Sequence, residues 1–396
     1  MRSGIHVGRI FGINIYVDWS WILIFVLVTW NLAGALFPSI HPGWSLALNL
    51  TIGISASILF FASVLAHELA HSVVAKGRGL PVRRITLFIF GGVSNIEKEP
   101  PSPGTEFLVA VVGPLTSLVL GAVFLFLGRA DSNLAQQAVT NPQRAMSNLS
   151  PLATMFLYLG SINILLGVFN LIPGFPLDGG RLLRSILWGG TNSLRQATRW
   201  ATWIGQGIAW IFIIVGISMV FGLQVPILGG GIINGIWLAF IGWFLNNAAS
   251  QSYRQVVIED VLEGVCVDRL MRSDVPTVEP DFLVSQLVDD YLMGTDERSF
   301  PVVQGEQLIG IVTLEDVRKI PRSNWDATRV REIMTPEDKL DVVAPDDDVA
   351  DALNKITSRD VRQIPVLDNG HLVGILRRRD IIRWLRLHSD RMSARG

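Results

Sequence analysis

Between Trp19 and Ala66 the chain carries no Asp, Glu, Lys or Arg, and the same is true from Trp200 to Tyr253. A helix that crosses about 30 Å of hydrocarbon needs roughly 20 apolar residues at 1.5 Å each. Six segments meet that requirement, at about 16–37, 46–75, 106–127, 152–177, 200–221 and 232–249. The breaks between them are turn-like or polar: FPSIHPGW at 37–44, the stretch 128–151, and QVPILGGG at 224–231. Beyond residue 254 charges become frequent and the pattern changes to alternating, strand-like runs. The expected organisation is a membrane domain over 1–250, a linker over 251–265 and a soluble domain after it.

An even number of spans puts the N-terminus and the soluble part on one side. Lysine and arginine choose that side. With the N-terminus cytoplasmic, the inner segments hold Arg2, Arg9, Lys76, Arg78, Arg83, Arg84, Lys98, Arg181, Arg184, Arg195 and Arg199, and the outer loops hold Arg129 and Arg144: eleven against two. The expected location is therefore an integral, multi-pass membrane protein with both the N-terminus and the soluble part cytoplasmic. The opening residues MRSGIHVGRIFGIN lack a compact apolar core and cleavage site, so no removed signal is expected. A net charge of −1 argues against nucleic acid as a partner. The one cysteine, Cys266, excludes intramolecular disulfides and four-thiolate zinc sites, and is read as a core residue.

The second span ends on SVLAHELAHSVVA, residues 63–75. On a helix, positions i and i+4 lie one above the other, so His67 and His71 offer both imidazoles to one point, as zinc requires. Glu68 projects beside them, where it can take a proton from a water. Such residues are costly in an apolar helix and point to function, the alternative being an interfacial helix end where polar groups are tolerated. A third ligand is sought in NLIPGFPLDGGRLLRS, residues 170–185. Asp178 is the first acid after the fourth span, which runs in the same direction as the second. His67 lies about 20 residues into its span and Asp178 about 25 into its own, so both approach the inner side. Pro173, Gly174 and Pro176 would kink that path and let irregular backbone face a cavity. The plainer alternative is a helix-terminal carboxylate beside Arg181.

Residues 80–104, with LPVRRITLFIFGGVSNIE, show strand-like alternation around a Gly-Gly pair. Two readings stand: a membrane-associated β-hairpin shielded by protein, or a plain cytoplasmic hairpin.

HELAH within a span, followed by N-x-x-P-x-x-P-L-D-G-G-R, resembles the site-2 protease family of intramembrane zinc metalloproteases. GRIFGINIYVDWSW, FIFGGVSNI and AVVGPLTS resemble it too, so the likeness covers most of residues 1–250. It implies zinc on His67, His71 and Asp178, with Glu68 as general base. It also implies that Asn170 holds substrate or polarises its carbonyl, and that the hairpin with Gly91 and Gly92 pairs with an unwound, membrane-spanning protein substrate.

The soluble part is a duplication. RLMRSDVPTVEP at 269 aligns with REIMTPEDKLDVVAP at 331, and SFPVVQGEQLIGIVTLEDV at 299 with QIPVLDNGHLVGILRRRDI at 363. The two units, 266–322 and 328–388, resemble a pair of cystathionine-β-synthase (CBS) domains. The resemblance implies an α/β module whose cleft binds ATP, ADP or AMP, with a hydroxyl and an acid on phosphate and ribose. Thr313 and Asp316 match that pattern; in the second repeat Asp380 is present but Arg377 stands in place of the threonine. The alternative is a packing or homodimerising unit. The overall expectation is a six-span helical membrane protease with a membrane-associated hairpin and a cytoplasmic tandem CBS sensor. A CBS-regulated transporter or channel and a non-catalytic metal-binding scaffold are the competing readings.

Overall fold

The computed structural model describes residues 4–89, 91–96, 99–129, 149–225, 229–262, 264–293, 297–305 and 307–393. Arg2, Lys98 and Arg144 of the charge count lie outside them. The chain divides into two units, 1–254 and 255–396.

In the first unit, six helices are long and apolar enough to cross a membrane. Helix α1 (Trp19–Asn31) continues through a π turn and a short helix to Ile40. It is followed by α2 (Leu46–Gly77), α3 (Pro103–Gly128) and α4 (Pro151–Asn170). A short helix α5 (Asp178–Thr191) precedes the last two, α6 (Leu194–Val220) and α7 (Ile232–Leu262). Four of the long helices start on a serine whose hydroxyl accepts a backbone N–H of the first turn: Ser45, Ser102, Ser150 and Ser193. Two of these are followed by proline at the first helical position, where the missing N–H costs nothing.

Helices α3 and α4 meet through small residues. A Cβ on Gly121 would strike Ile164 and the Gly160 carbonyl, and one on Gly160 would strike Leu125. Lipid offers no hydrophobic reason for helices to associate, so close backbone approach and dispersion must hold them together.

Two features differ from the sequence expectation. Residues 4–18, which precede the first span, form strands β1 (Gly4–Ile10) and β2 (Ile13–Asp18) joined at Phe11-Gly12, both with positive φ. Strand β2 pairs in parallel with β3 (Val82–Phe88), which pairs antiparallel with β4 (Gly91–Ile96). The hairpin is thus half of a four-stranded sheet, with Ile13, Ile15, Ile85 and Leu87 on its buried face and β4 at the edge. The second difference is at the fourth span: α4 stops at Asn170, and Asp178 opens α5 after an irregular segment. Pro173 and Pro176 cannot continue the helical ladder, which accounts for the break.

The second unit holds a five-stranded sheet. Its strands β5 (Ser299–Gln304), β6 (Gln307–Thr313), β8 (Gln363–Asp368) and β9 (His371–Arg377) run in the order β5-β6-β9-β8, and the short β7 (Thr335–Pro336) pairs with β6. Helices α8 (Leu314–Arg318), α9 (Val349–Ser358) and α10 (Arg378–Ser393) accompany them. The repeats exchange their entry segments: Arg272 bridges to Ile375 of the second hairpin, and Thr335 pairs with Ile311 of the first. The cores follow the exchange. Leu262, Val267 and Leu270 are buried with Val343, Ile356 and Ile364, while Val330 is buried with Val278, Phe300 and Val312.

Candidate metal centre

Helix α2 puts His67 and His71 one turn apart, each 4% exposed, with ring centroids 4.8 Å apart and planes at 75°. Asp178, in the first turn of α5, reaches both: its Oδ2 lies 3.0 Å from His67 Nε2 and 3.1 Å from His71 Nε2, and the two Nε2 atoms are 3.2 Å apart. These are the sole trio of metal-ligating side chains so gathered among the described residues.

The protons decide what such a cluster can be. His71 Nδ1 faces the Val109 carbonyl at 2.6 Å. A carbonyl only accepts, so Nδ1 carries the proton and a neutral His71 presents a lone pair at Nε2. That lone pair faces a carboxylate oxygen at hydrogen-bond distance, which repels unless a cation or a proton lies between. In a tetrahedral site with bonds of about 2.0–2.1 Å, neighbouring donors stand about 3.3 Å apart. The observed separations are close to that edge. His67 is steered from behind by Ser117 Oγ, 2.9 Å from Nδ1. Outer partners of this kind fix the orientation of metal-ligating imidazoles.

Glu68 lies on the neighbouring position of α2. Ser94 Oγ, from β4, donates to its Oε2 at 2.8 Å, and Ser72 Oγ donates to Ser94 at 3.1 Å. Two glycines let neighbouring elements pack directly against these side chains. A Cβ on Gly113 would overlap both histidine Nε2 atoms, and one on Gly92 would overlap the Glu68 side chain. Gly91 and Gly92 pair with Phe88 and Leu87 on one side of β4. Asn170 is the last residue of α4, with its Nδ2 donating to the Leu166 carbonyl at 3.1 Å, and it makes no hydrogen bond to the trio.

Helix α5 is anchored by a buried ion cluster that the sequence reading missed. Arg184 Nε donates to Glu106 Oε1 at 2.6 Å, its Nη2 pairs with Glu99 at 2.8 Å, and Glu106 is fully buried. Burial alone would lower the guanidinium's pKa, and the two carboxylates hold it above its ordinary value.

In the second unit, Thr313 and Asp316 form a reciprocal capping box: Thr313 Oγ1 donates to Asp316 Oδ2 at 2.6 Å and accepts from the Asp316 N–H. Lys319 Nζ is 2.9 Å from the other carboxylate oxygen. Arg377 pairs with Asp380 and with Glu297, each at 2.6 Å. Glu297 also meets Arg379 at 2.8 Å and Arg272 at 3.2 Å.

A two-histidine, one-carboxylate cluster beside a glutamate, among helices of membrane-spanning length, fits a membrane-embedded metallopeptidase. The sequence profile of peptidase family M50 matches residues 55–214, and that of the CBS domain matches 267–323 and 330–387. A Synechocystis relative, provisionally named zinc metalloprotease sll0528, is 33% identical over 97% of this chain and 96% of its own length. Zinc metalloprotease MJ0392 of Methanocaldococcus jannaschii is 29% identical over 97% of this chain and 96% of its own. The solved site-2 protease from Methanocaldococcus jannaschii is 29% identical, spans 63% of this chain and 94% of that one, and superposes with a TM-score of 0.40. The chain belongs to peptidase family M50, the site-2 proteases, and is a zinc metalloprotease with tandem CBS domains. That assignment displaces the transporter and scaffold readings.

Proposed function

We propose that the chain hydrolyses peptide bonds of membrane-spanning protein substrates, with a zinc ion held by His67, His71 and Asp178. The observation that supports this is the His71 lone pair aimed at the Asp178 carboxylate beside a second imidazole nitrogen. Neutral imidazoles and a carboxylate are the donor set zinc favours, and the ion would supply Lewis acidity to a scissile carbonyl and to a water. Glu68 takes the water proton and returns it to the leaving amine, with Ser94 holding the carboxylate. A helical substrate buries its carbonyls in its own hydrogen bonds, so it must unwind before attack. Strand β4 is an edge strand, and its free side supplies backbone partners for an extended segment. Gly92 lets β4 approach Glu68 closely, since a Cβ there would overlap the Glu68 side chain, and so sets that edge beside the general base. Asn170 is assigned the substrate carbonyl, using the amide proton not committed to Leu166.

The arginine and lysine distribution supports a cytoplasmic N-terminus and CBS module. There the CBS pair acts as an adenosine-nucleotide sensor, through Thr313 and Asp316 in the first repeat and Asp380 in the second.

The decisive experiment uses purified protein and a single-span substrate. Glu68→Gln is expected to keep its zinc and lose cleavage by at least about 10²-fold, while His67→Ala loses zinc and cleavage together. Cleavage by Glu68→Gln at the wild-type rate would refute the general-base assignment.

A further inference from the structure

The cavity that the proteolytic site does not use lies between α6 and α7. It is an open-sided cleft of about 200 Å³, lined by Arg199, Thr202, Trp203 and Gln206 of α6 and by Ser250, Tyr253 and Arg254 of α7. The spacings within each set place them on one face of each helix. Away from the cavity the two helices touch backbone to backbone: a Cβ on Gly216 would strike Ala239 and the Gly235 carbonyl, and one on Gly242 would strike the Ala209 carbonyl. Gln206 Nε2 donates to Ser250 Oγ at 3.0 Å and closes the floor. Beyond that bond Arg199, Thr202 and Trp203 stand across from Tyr253 and Arg254, and a gap opens.

Three properties of the gap point to one chemistry. Thr202 is 3% exposed, and among the described residues its hydroxyl has no hydrogen-bond partner. A buried, unsatisfied hydroxyl is costly, and such groups call for a ligand or water. The guanidinium of Arg199 lies 4.6 Å from the Trp203 ring centroid, and among the described residues neither it nor that of Arg254 meets a carboxylate. Among the described residues no acid lines the cavity. Two guanidinium forks with the hydroxyls of Thr202 and Tyr253 suit a tetrahedral oxyanion, and repel a cation. The space, several times the roughly 30 Å³ share of one water, admits a phosphate and its ester neighbours. The position agrees with this. Exposed Trp200 and Trp203, in a T-shaped pair at 5.4 Å, mark the headgroup level where tryptophans of membrane helices gather.

We infer that this cavity binds a phosphate ester of net negative charge, the chemistry of an anionic phospholipid headgroup. The test measures binding of short-chain phosphatidylglycerol to the full-length protein in detergent, with phosphatidylcholine and inorganic phosphate as parallel probes. Phosphatidylglycerol is expected to bind at least about tenfold more tightly than phosphatidylcholine, and the Arg199→Gln/Arg254→Gln pair to lose at least about tenfold in affinity. Thr202→Val, which keeps the shape and both charges, should also weaken binding. Inorganic phosphate binding as tightly as phosphatidylglycerol, and lost in the same variants, would support the site with a soluble phosphate as its source. Equal affinity of wild type and double variant, with both folded by thermal unfolding and carrying zinc, would overturn the proposal. So would equal affinity for the two lipids.

Discussion

Glu68 does not stand alone on its helix: its carboxylate oxygen accepts from Ser94, which itself accepts from Ser72. Ser94 hydrogen-bonds Glu68 and none of the trio, so in the proposed mechanism it is a positioning residue. Ser94→Ala should lower kcat about tenfold with zinc content and KM unchanged, and Ser94→Thr should restore most of the rate, since one hydrogen bond to a charged group is at stake. Gly113 gives a harsher test. Any Cβ there enters the space of the two histidine nitrogens, so Gly113→Ala should lose metal affinity, read by zinc competition with a chelator. The sequence displayed His67, Glu68, His71 and Asp178 because charged and imidazole groups stand out against an apolar helix. Gly113, Ser117, Ser94 and the Val109 carbonyl were not legible. Small residues and backbone atoms are common in membrane helices, and they become functional only through a neighbour brought from elsewhere in the chain.

Among the elements, α5 matters most, because it carries Asp178 on its first turn. Arg184, two turns further on, binds Glu106 at the start of α3 and Glu99 just before it. Breaking a buried pair leaves an uncompensated charge, at about 3–5 kcal/mol. Arg184→Met should therefore lower thermal stability in detergent strongly, and Glu106→Gln should as well. The double variant should be less destabilised than the sum of the two, because each loss is mostly the penalty of the partner left behind. Additive losses would show that the cluster does not act as a pair. The sheet shows the limit of reading elements from local sequence. Alternation around Gly91-Gly92 revealed the hairpin, but the parallel pairing of β2 with β3 joins segments more than 60 residues apart. No local pattern encodes that. The ending of the fourth helix at Asn170 was within reach, since Pro173 and Pro176 were noted as interruptions of the span.

At the scale of the whole molecule, the CBS module is a duplication whose two halves differ at the residues proposed to meet a nucleotide. The first repeat keeps Thr313 and Asp316, locked in a capping box with Lys319 attached. The second has Arg377, and its cleft is filled from within by Glu297, whose carboxylate meets Arg272, Arg377 and Arg379. A nucleotide phosphate would make the same charge-assisted hydrogen bonds to those arginines, so it must compete with Glu297 for them. Beside the cluster the Gln363 amide nitrogen is buried with no partner among the described residues, a donor still unmet in the same cleft. Glu297→Gln removes the internal competitor and leaves three cationic donors. AMP or ATP affinity of the full-length protein should then rise about tenfold, the size of one lost charged competitor. Asp316→Ala should weaken nucleotide binding at the first repeat, and its capping loss should appear separately as a lower thermal midpoint without nucleotide. Calorimetric titration of the three proteins decides the matter. If Glu297→Gln binds nucleotide no better than wild type, the arginine cluster is a structural brace and the second repeat takes no phosphate.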